Sequence, residues 1–329
     1  MIRIAIDAMG GDYAPSEIIK GAVEAVKELP VGILLVGDEK EILKRLSRQK
    51  SVESISIVHS SEVIRMDESP ASAVKQKKDS SVNVAVKLVK SGRADALISA
   101  GNTGALMAAS LLGLGRIKGI ERPAIATIFP TLGKGVLLLD MGANVDCKPS
   151  QLRQFAEMGS QYAEHVMHIE NPRIGLLNIG EEPSKGNELT VEAYQLLKAS
   201  KKLNFLGNVE SKEIFDGKVD VIVCDGFIGN LLLKFGESIG MTALDLIKKE
   251  LKKNVITRFG AMLLAPGLIS LKKAMEYDEY GAAPLLGING VCFKAHGRAK
   301  SRAIKNAIRV TAEAVKERIV HCISMVEAS

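Results

Sequence analysis

Six short apolar runs of the sequence are followed by glycine together with Asn, Asp or Thr, and these residue types can bind an oxyanion. The clearest case is SAGNTGA (99–105), which stands between the apolar run ADALI and a segment with helical periodicity. The free N–H groups at the start of a helix attract negative charge, so this turn predicts a phosphate or a related oxyanion. It matches neither G-x-G-x-x-G nor G-x-x-x-x-G-K-S/T, the two common nucleotide motifs.

The same residue types recur after the other five runs. The segments are DAMGGD after IRIAI, DMGAN after GVLLL, NIGEE after RIGLL, GN after LNFL and DGFIGN after DVIVC. One such turn alone is more typical of ordinary turn structure, but six at one edge of one sheet predict a polar binding site. The predicted phosphate-binding residues are Asp7, Gly10, Gly11, Gly101, Asn102, Thr103, Gly104, Asn144, Asn178, Gly180, Asn187, Asp225, Gly226, Gly229 and Lys234.

Three further side chains are candidates to act on the bound anion. Lys185, in SKGNE, carries a mobile point charge on a glycine-containing loop. Asn230 stands one helical turn before Lys234, so both can face one ligand, although a solvated helix lysine is an equal alternative. His296, in KAHGR, occupies a loop position that suits either a functional imidazole or a capping histidine.

A protein nucleophile and a metal ion have weaker support. Cys224 precedes Asp225 at a strand end and could act as a thiol nucleophile, but a buried strand cysteine is far commoner. Carboxylates at Asp7, Asp12, Asp140 and Asp225 could hold a metal, but their spacing does not require one. We therefore expect neither a metal nor a cofactor.

The elements that must position these residues alternate regularly along the chain. Predicted strands cover 2–6, 32–36, 54–58, 95–99, 124–128, 135–139, 173–177, 203–206 and 220–224, and predicted helices lie near 16–28, 39–48, 81–91, 103–115, 150–167, 188–199, 229–252 and 301–325. Most apolar runs are continuous, as in strands that helices cover on both faces. The order predicts an α/β fold of three α/β/α layers around a mainly parallel sheet, with 1–329 as a single domain.

Composition narrows the class of protein. The 329 residues are 47% hydrophobic and 25% charged, as in ordinary globular chains. Aromatic residues make up only 4% and Trp is absent, which argues against base stacking, so we expect no nucleic-acid partner. The four cysteines form no C-x-x-C motif and the N-terminus does not resemble a signal peptide, so we expect a cytoplasmic protein.

The C-terminal part combines basic charge with an apolar stripe. Residues 241–329 hold 15 Lys or Arg against 8 Asp or Glu, a net charge of +7. RFGAMLLAPGLISLKKAMEY (258–277) predicts a membrane-surface helix or a docking face for an acidic partner, with a dimer interface or a core helix pair as the alternative. Pro266-Gly267 is expected to break it into a hairpin, within a helical excursion over 240–280. The predicted contact residues are Phe259, Leu263, Leu264, Leu268, Lys272 and Lys273.

Several long segments resemble the bacterial phosphate acyltransferases. These are IAIDAMGGDYAP, ISAGNTGAL, LLLDMGANVDCKP, LLNIGEEPSKGNELT, FLGNVE, VCDGFIGNLLLK and KAHG, in this order from Ile4 to about Gly297. The resemblance implies a Rossmann-like fold similar to that of phosphotransacetylases and isocitrate dehydrogenases. It also implies acyl transfer from acyl-carrier protein to inorganic phosphate, with the acyl phosphate passing to a glycerol-3-phosphate acyltransferase for phospholipid synthesis. A homodimer with peripheral membrane association is implied as well.

The resemblance suggests a mechanism in which phosphate itself is the nucleophile. Phosphate would be held by Asn102, Thr103 and the amides of Gly101 and Gly104 and neutralised by Lys185 with Asn187, while Asn230 or His296 would support the oxyanion or the leaving thiolate. Two alternative functions belong to other classes of protein. One is an NAD(P)-dependent oxidoreductase of the isocitrate dehydrogenase type, and the other is a non-enzymatic scaffold at the membrane surface.

Overall fold

The apolar runs form two neighbouring sheets in the computed structural model, which describes residues 1–47, 53–131, 135–275 and 281–328, with main chain only at 255, 268–275 and 327–328. Within these residues, one sheet has the order β3 (Ile55–His59), β2 (Val31–Gly37), β1 (Ile2–Asp7), β4 (Ala96–Ser99), β12 (Val291–Ala295), β11 (Ala282–Leu286), β5 (Ala124–Ile125). The other has the order β6 (Thr127–Phe129), β7 (Val136–Leu139), β10 (Val221–Val223), β8 (Arg173–Leu177), β9 (Asn204–Val209).

Helices cover both faces of these sheets. They are α1 (Ser16–Glu28), α2 (Glu39–Leu46), α3 (Pro70–Gln76), α4 (Ser81–Lys90), α5 (Thr103–Gly113), α6 (Pro149–His165), α7 (Glu188–Ala199), α8 (Gly226–Leu251), α9 (Val255–Met275), α10 (Ser301–Lys316) and α11 (Ile319–Ala328), with a short 3-10 helix at Ser211–Phe215. Successive strand residues alternate between two cores: Ile4 and Ile6 belong to one, and Ala5 belongs to the other. This alternation confirms the predicted three-layer α/β/α class.

Most strand pairs are parallel, as predicted. The exceptions involve β11, which runs antiparallel to β12 and β5, and β6, which runs antiparallel to β7. Each of the two cores draws residues from both sheets, such as Ile4 with Leu137 in one core and Leu97 with Leu138 in the other. The two sheets therefore share their hydrophobic packing.

The chain crosses from one sheet to the other inside a single predicted strand. The segment 124–128 is divided into β5 and β6 at Ala126, whose N–H donates to the carbonyl of Pro284 at 3.1 Å. The strands therefore form two sheets, and the expectation of one sheet is wrong in this respect. The strands β11 and β12 and the short helix α3 were not predicted, because glycine and proline interrupt GAAPLLGINGVCFKAHG and α3 is only seven residues long.

The helical hairpin is present, but its turn is not at Pro266-Gly267. The helix α9 continues through Pro266, and the turn lies at 252–254 between α8 and α9. Asn254 starts α9, since its Oδ1 accepts the Thr257 N–H at 2.9 Å and its own N–H donates to the Thr257 hydroxyl at 3.1 Å. The predicted helix 301–325 is likewise divided, because Arg318 takes a positive φ of 55° between α10 and α11.

Two glycines in the hairpin helices allow a matched stability test. A Cβ at Gly229 in α8 would overlap the carbonyl oxygen of Asp140, whereas a Cβ at Gly260 in α9 would meet open space. Gly229→Ala should lower the free energy of unfolding by about 1–3 kcal/mol through overpacking. Gly260→Ala should raise it by about 0.5–1 kcal/mol through helix propensity. Thermal unfolding of both variants measures this, and equal shifts would contradict the packing described for α8.

Candidate functional site

The carboxyl ends of β1, β4 and β12 bring three polar residues side by side. Asp7, Ser99 and Lys294 pair in register across these neighbouring strands. The Ser99 hydroxyl donates to Asp7 Oδ2 at 2.6 Å and accepts the Gly101 N–H at 3.0 Å. A Cβ at Gly10 would lie 2.7 Å from the Gly101 nitrogen. DAMGGD and SAGNTGA therefore form one packed unit, in which the Gly101 amide is already bonded.

Lys294 is a residue at this edge that the sequence analysis did not select. Its Nζ donates to the carbonyl of Ala100 at 3.2 Å and to that of Ala295. Burial lowers the pKa of Lys294 to about 8, and the carboxylates of Asp7 and Asp12 oppose that shift. The sequence feature that could have pointed to Lys294 is a lysine within the apolar segment VCFKA, because lysine is seldom buried without a partner.

The KAHGR loop closes over the DAMGGD turn. Asp12 donates its N–H to the Gly297 carbonyl at 2.8 Å, and the Arg298 guanidinium lies 3.6 Å from the Asp12 carboxylate. Gly11 has a φ of 107°, which favours glycine, where the chain passes under this loop. His296 is exposed, and its Nδ1 accepts the Arg298 N–H at 3.1 Å. His296 thus lies at the rim of this edge.

Asn102 holds the SAGNTGA turn together. Its Oδ1 accepts the Ala105 N–H at 3.0 Å and caps α5, and its Nδ2 donates to the main-chain carbonyls of 65, 66 and 68. The N–H groups of Thr103 and Gly104, in the first turn of α5, have no hydrogen-bond partner within the described residues. These two amides and the exposed Thr103 hydroxyl are the donors that this turn offers to an anion.

A segment without a sequence assignment, residues 65–70, covers the same turn. Besides the carbonyls that bond Asn102, it contributes Pro70, whose ring would be 2.6 Å from a Cβ at Gly104. Lys77 ties this segment down by donating to Glu68 Oε1 at 2.6 Å, and this bond lowers the Glu68 pKa. Nothing in the local sequence pattern indicates this contact, because it joins segments about 35 residues apart.

At the other sheet, the buried carboxylate of Asp140 organises the end of β7. Its Oδ1 accepts the N–H groups of Ile125 and Ala143 at 3.0 and 3.1 Å, and its Oδ2 accepts the N–H and Nδ2–H of Asn144 at 2.7 and 2.9 Å. Burial raises the pKa of Asp140, and these four donors act in the opposite direction. The Asn144 side chain is thus used for structure, as it also donates to the Pro123 carbonyl at 2.8 Å.

The DGFIGN segment begins α8 against this turn. Asp225 Oδ1 accepts the Ile228 N–H at 2.9 Å and caps the helix. A Cβ at Gly226 would lie 2.6 Å from the Asn144 carbonyl oxygen, so only glycine fits there. Together with Gly229, this glycine lets α8 start in direct contact with the end of β7.

Asn230 and Lys234 follow on the same helix. Asn230 is half-buried beside Gly142, where a Cβ would be 3.3 Å from its side chain. Within the described residues, no hydrogen bond occupies the Asn230 amide and no ion pair occupies the exposed Lys234 ammonium. Both groups are therefore available to a ligand.

The NIGEEPSKGNE segment forms an exposed loop between β8 and α7. Asn178 Nδ2 donates to the Lys185 carbonyl at 2.9 Å and closes the loop. Asn187 Oδ1 accepts the Thr190 N–H at 3.0 Å and caps α7. The Lys185 side chain lies against Gly180, with its Cγ 3.0 Å from a Cβ there, and none of the described carboxylates pairs with its ammonium. Among the described residues, the loop therefore presents a cation without an ion-pair partner, beyond the end of β8 and beside β9, whose Asn208 Nδ2 donates to the Glu182 carbonyl at 2.8 Å.

The predicted residues thus form two groups, one at each sheet. The first group lies at the ends of β1, β4 and β12, and the second at the ends of β7, β10 and β8. The prediction of six turns at one edge of one sheet is wrong, because the chain crosses to a second sheet at Ala126. Gly207 and Asn208 lie within β9 rather than after it. In the described part of the chain, no hydrogen bond or ion pair joins the two groups.

The cysteines at the second group are not set up as nucleophiles. Burial raises the pKa of Cys224 well above its usual value, and the carboxylates of Asp225 and Asp140 raise it further. Burial likewise raises the pKa of Cys147 to about 11. Because the thiolate is the reactive form, neither thiol supports covalent catalysis. Among the described residues, no three His, Cys, Asp or Glu side chains are grouped to hold a metal ion.

The α8–α9 hairpin exposes large apolar side chains. Phe259, Leu263 and Leu264 on α9 are 60%, 67% and 59% exposed, and Phe235 on α8 is similarly exposed. The side chains of Leu268, Lys272 and Lys273, which were also predicted as contacts, lie outside the described residues. None of the described helices is both long and apolar enough to span a membrane.

Comparison with solved structures defines the class of fold. A phosphotransacetylase from Streptococcus pyogenes superposes with a TM-score of 0.67, covering 96% of this chain and 94% of that one at 16% sequence identity. At such low identity the likeness establishes the fold alone. The predicted similarity to the phosphotransacetylase fold is confirmed.

Sequence comparison defines the family within that fold. Residues 2–321 match the family model described as "Fatty acid synthesis protein". Phosphate acyltransferases from Heliobacterium modesticaldum and Desulforamulus reducens are 57% and 53% identical to the chain, each over 98% of this chain and 96% of their own length. The chain belongs to this family, the phosphate acyltransferases, as the motif resemblance implied. The dehydrogenase and scaffold alternatives are not favoured by these relatives.

Asp140 provides a stability test of the second group. In Asp140→Asn one acceptor oxygen becomes an NH₂ group that faces two N–H donors, so buried donors lose their partner. The expected loss is about 1–3 kcal/mol in the free energy of unfolding. Asp225→Asn is the matched control, because Asn caps a helix as well as Asp does, and it should change stability little. Denaturant unfolding measures the free energy of unfolding of both variants. If Asp140→Asn were as stable as the wild type, that result would contradict the hydrogen bonding described.

Proposed function

We propose that the chain transfers an acyl group from the thioester of acyl-carrier protein to inorganic phosphate and releases acyl phosphate. The observation that carries this proposal is identity of 57% and 53% over nearly the whole chain to proteins named phosphate acyltransferase. The unpaired amides of Thr103 and Gly104 and the unpaired Lys185 and Asn230 supply donors suited to the chemistry. No cofactor is needed, because the reaction transfers a group without oxidation or reduction.

In this mechanism the phosphate oxygen attacks the thioester carbonyl carbon directly. The C–O bond to phosphate forms, the C–S bond breaks, and the proton of the monohydrogen phosphate passes to the departing thiolate. We assign phosphate to the start of α5, and the carbonyl oxyanion to Lys185 or Asn230. His296, at the rim of the first group, is suited to relay that proton from phosphate to the leaving thiolate.

Charge explains why the amides matter. In the first group the formal charges of Lys294 and Arg298 are balanced by those of Asp7 and Asp12. Uncharged N–H donors at a helix start must therefore supply the binding there. Orientation of the two reactants contributes up to about 7–11 kcal/mol, and one oxyanion donor about 2.7–4 kcal/mol.

The direct test is hydroxylamine trapping of acyl phosphate. Purified protein with acyl-carrier protein thioester and phosphate should yield hydroxamate in proportion to the phosphate added. Hydroxamate that forms equally without phosphate, or does not form with it, would refute the proposed activity. Adding NAD(P)⁺ should change nothing, whereas reduction of the nucleotide would favour the oxidoreductase alternative.

Two variants separate direct attack from a thiol route. Cys224→Ala should retain the hydroxamate yield, because its thiol is buried and protonated. Lys185→Met should reduce the rate about 10²–10³-fold if its ammonium stabilises the oxyanion. A folded but inactive Cys224→Ala protein would instead support an acyl-enzyme through that thiol.

We further propose that the α8–α9 hairpin is the contact with other macromolecules. Apolar side chains exposed on both helices are typical of an interface, and we infer a homodimer and peripheral attachment of a cytoplasmic protein to the membrane. The basic residues Lys248, Lys249, Lys252, Lys253 and Arg258 near its turn suit acidic carrier protein or anionic lipid. A glycerol-3-phosphate acyltransferase would then use the acyl phosphate as its substrate. We propose no nucleic-acid partner.

The hairpin interpretation is tested by adding a charge to its apolar face. Leu263→Glu should weaken self-association in sedimentation or reduce flotation with anionic vesicles, because a carboxylate would be buried in either contact. Leu112→Glu is the matched control, since Leu112 is a similarly exposed helix leucine on α5, outside the hairpin. If Leu263→Glu matches the wild type in both measurements, the hairpin is not the contact.

A further inference from the structure

We infer that Lys294 is a positioning residue for the phosphate site, through its hydrogen bond to the peptide group that joins Ala100 to Gly101. The inference rests on the proposed function, because it concerns the phosphate that this activity requires. Lys294 stands in register with Ser99 on the neighbouring strand, directly below the SAGNTGA turn.

One peptide unit of that turn is held from both sides. Lys294 Nζ donates to the carbonyl oxygen of Ala100 at 3.2 Å. The N–H of the same peptide, that of Gly101, donates to the Ser99 hydroxyl at 3.0 Å, and Ser99 in turn donates to Asp7. The C=O and N–H of a planar peptide point in opposite directions, so these two bonds fix its orientation.

The orientation of this peptide sets the direction of the next residues. Asn102 follows it directly and caps α5, and the unpaired amides of Thr103 and Gly104 come next. A change in the Ala100–Gly101 plane would rotate these donors away from a bound phosphate. Glycines at 101 and 104 provide little steric resistance to such a rotation, so hydrogen bonds have to fix the turn.

The buried position of Lys294 disfavours its charged ammonium form. Burial lowers its pKa to about 8, and the charges that act on it are those of Asp7 on β1 and Asp12 in the turn after β1, which oppose that shift. The ammonium form therefore predominates below pH 8 and is lost as the pH rises through that value. The positive charge that strengthens its bond to the Ala100 carbonyl disappears with it.

The experiment measures KM for phosphate between pH 7 and 9.5 with hydroxamate trapping, at saturating thioester. In the wild type, KM for phosphate should rise as the pH passes about 8, while KM for the thioester stays level. At pH 7, Lys294→Met should have a KM for phosphate about tenfold or more above that of the wild type, and this difference should narrow above pH 8 as the wild type loses the same charge. Lys294→Arg, whose guanidinium stays charged, should lack the alkaline rise.

The matched control is Lys305→Met. Lys305 is also a half-buried lysine, but it pairs with Glu28 between α10 and α1 and should leave both KM values unchanged. A flat wild-type profile would overturn the inference, as would an unchanged KM for phosphate in folded Lys294→Met or an alkaline rise that persists in Lys294→Arg. Failure of the proposed function is a separate result, namely wild-type protein that forms no phosphate-dependent hydroxamate.

Discussion

The arrangement of the two sheets depends on the buried carboxylate of Asp140. Its Oδ1 accepts an N–H from Ile125 in β5, so the end of β7 in one sheet is tied to an edge strand of the other. Its remaining bonds shape the turn in which Asn144 lies, and its carbonyl oxygen lies where α8 passes closest, at Gly229. One residue thereby joins the sheets and shapes a loop through its side chain, and contacts the helix that carries Asn230 through its main-chain carbonyl.

The amides and carboxylates at the strand ends are used mainly for structure. Asn102, Asn187 and Asp225 cap helices, and Asn144 and Asn178 close turns. Among the described residues, the groups left for a ligand include the main-chain N–H donors and the Thr103 hydroxyl at the start of α5, together with Lys185, Asn230 and Lys234. Polar strand ends therefore do two things at once: the side chains fix the turns, and the fixed turns present donors to the substrate. This division suits a reaction in which the nucleophile is a substrate, since the protein has to orient and stabilise rather than react.

The sequence predicted the class of fold because continuous apolar runs and helical periodicity are local signals. It placed DAMGGD and SAGNTGA correctly at strand ends, and it selected the segments around Lys185 and Asn230 as candidates. It did not predict the crossing at Ala126, since a change of sheet depends on pairing with Pro284 far along the chain. Lys294 was not selected for a similar reason, because it lies on β12, a strand that the surrounding proline and glycine residues concealed. The prediction of a turn at Pro266 was wrong, because an exposed helix can continue through a proline, as α9 does.

In the proposed mechanism, phosphate attacks the thioester directly, without an acyl-enzyme. The most direct measurement is exchange of the acyl group between acyl-carrier protein thioester and labelled free carrier protein, with and without phosphate. Direct attack predicts label in the thioester only when phosphate is present, because the acyl group leaves the carrier only as acyl phosphate. Exchange at the same rate without phosphate would require a covalent acyl-enzyme and would contradict the account.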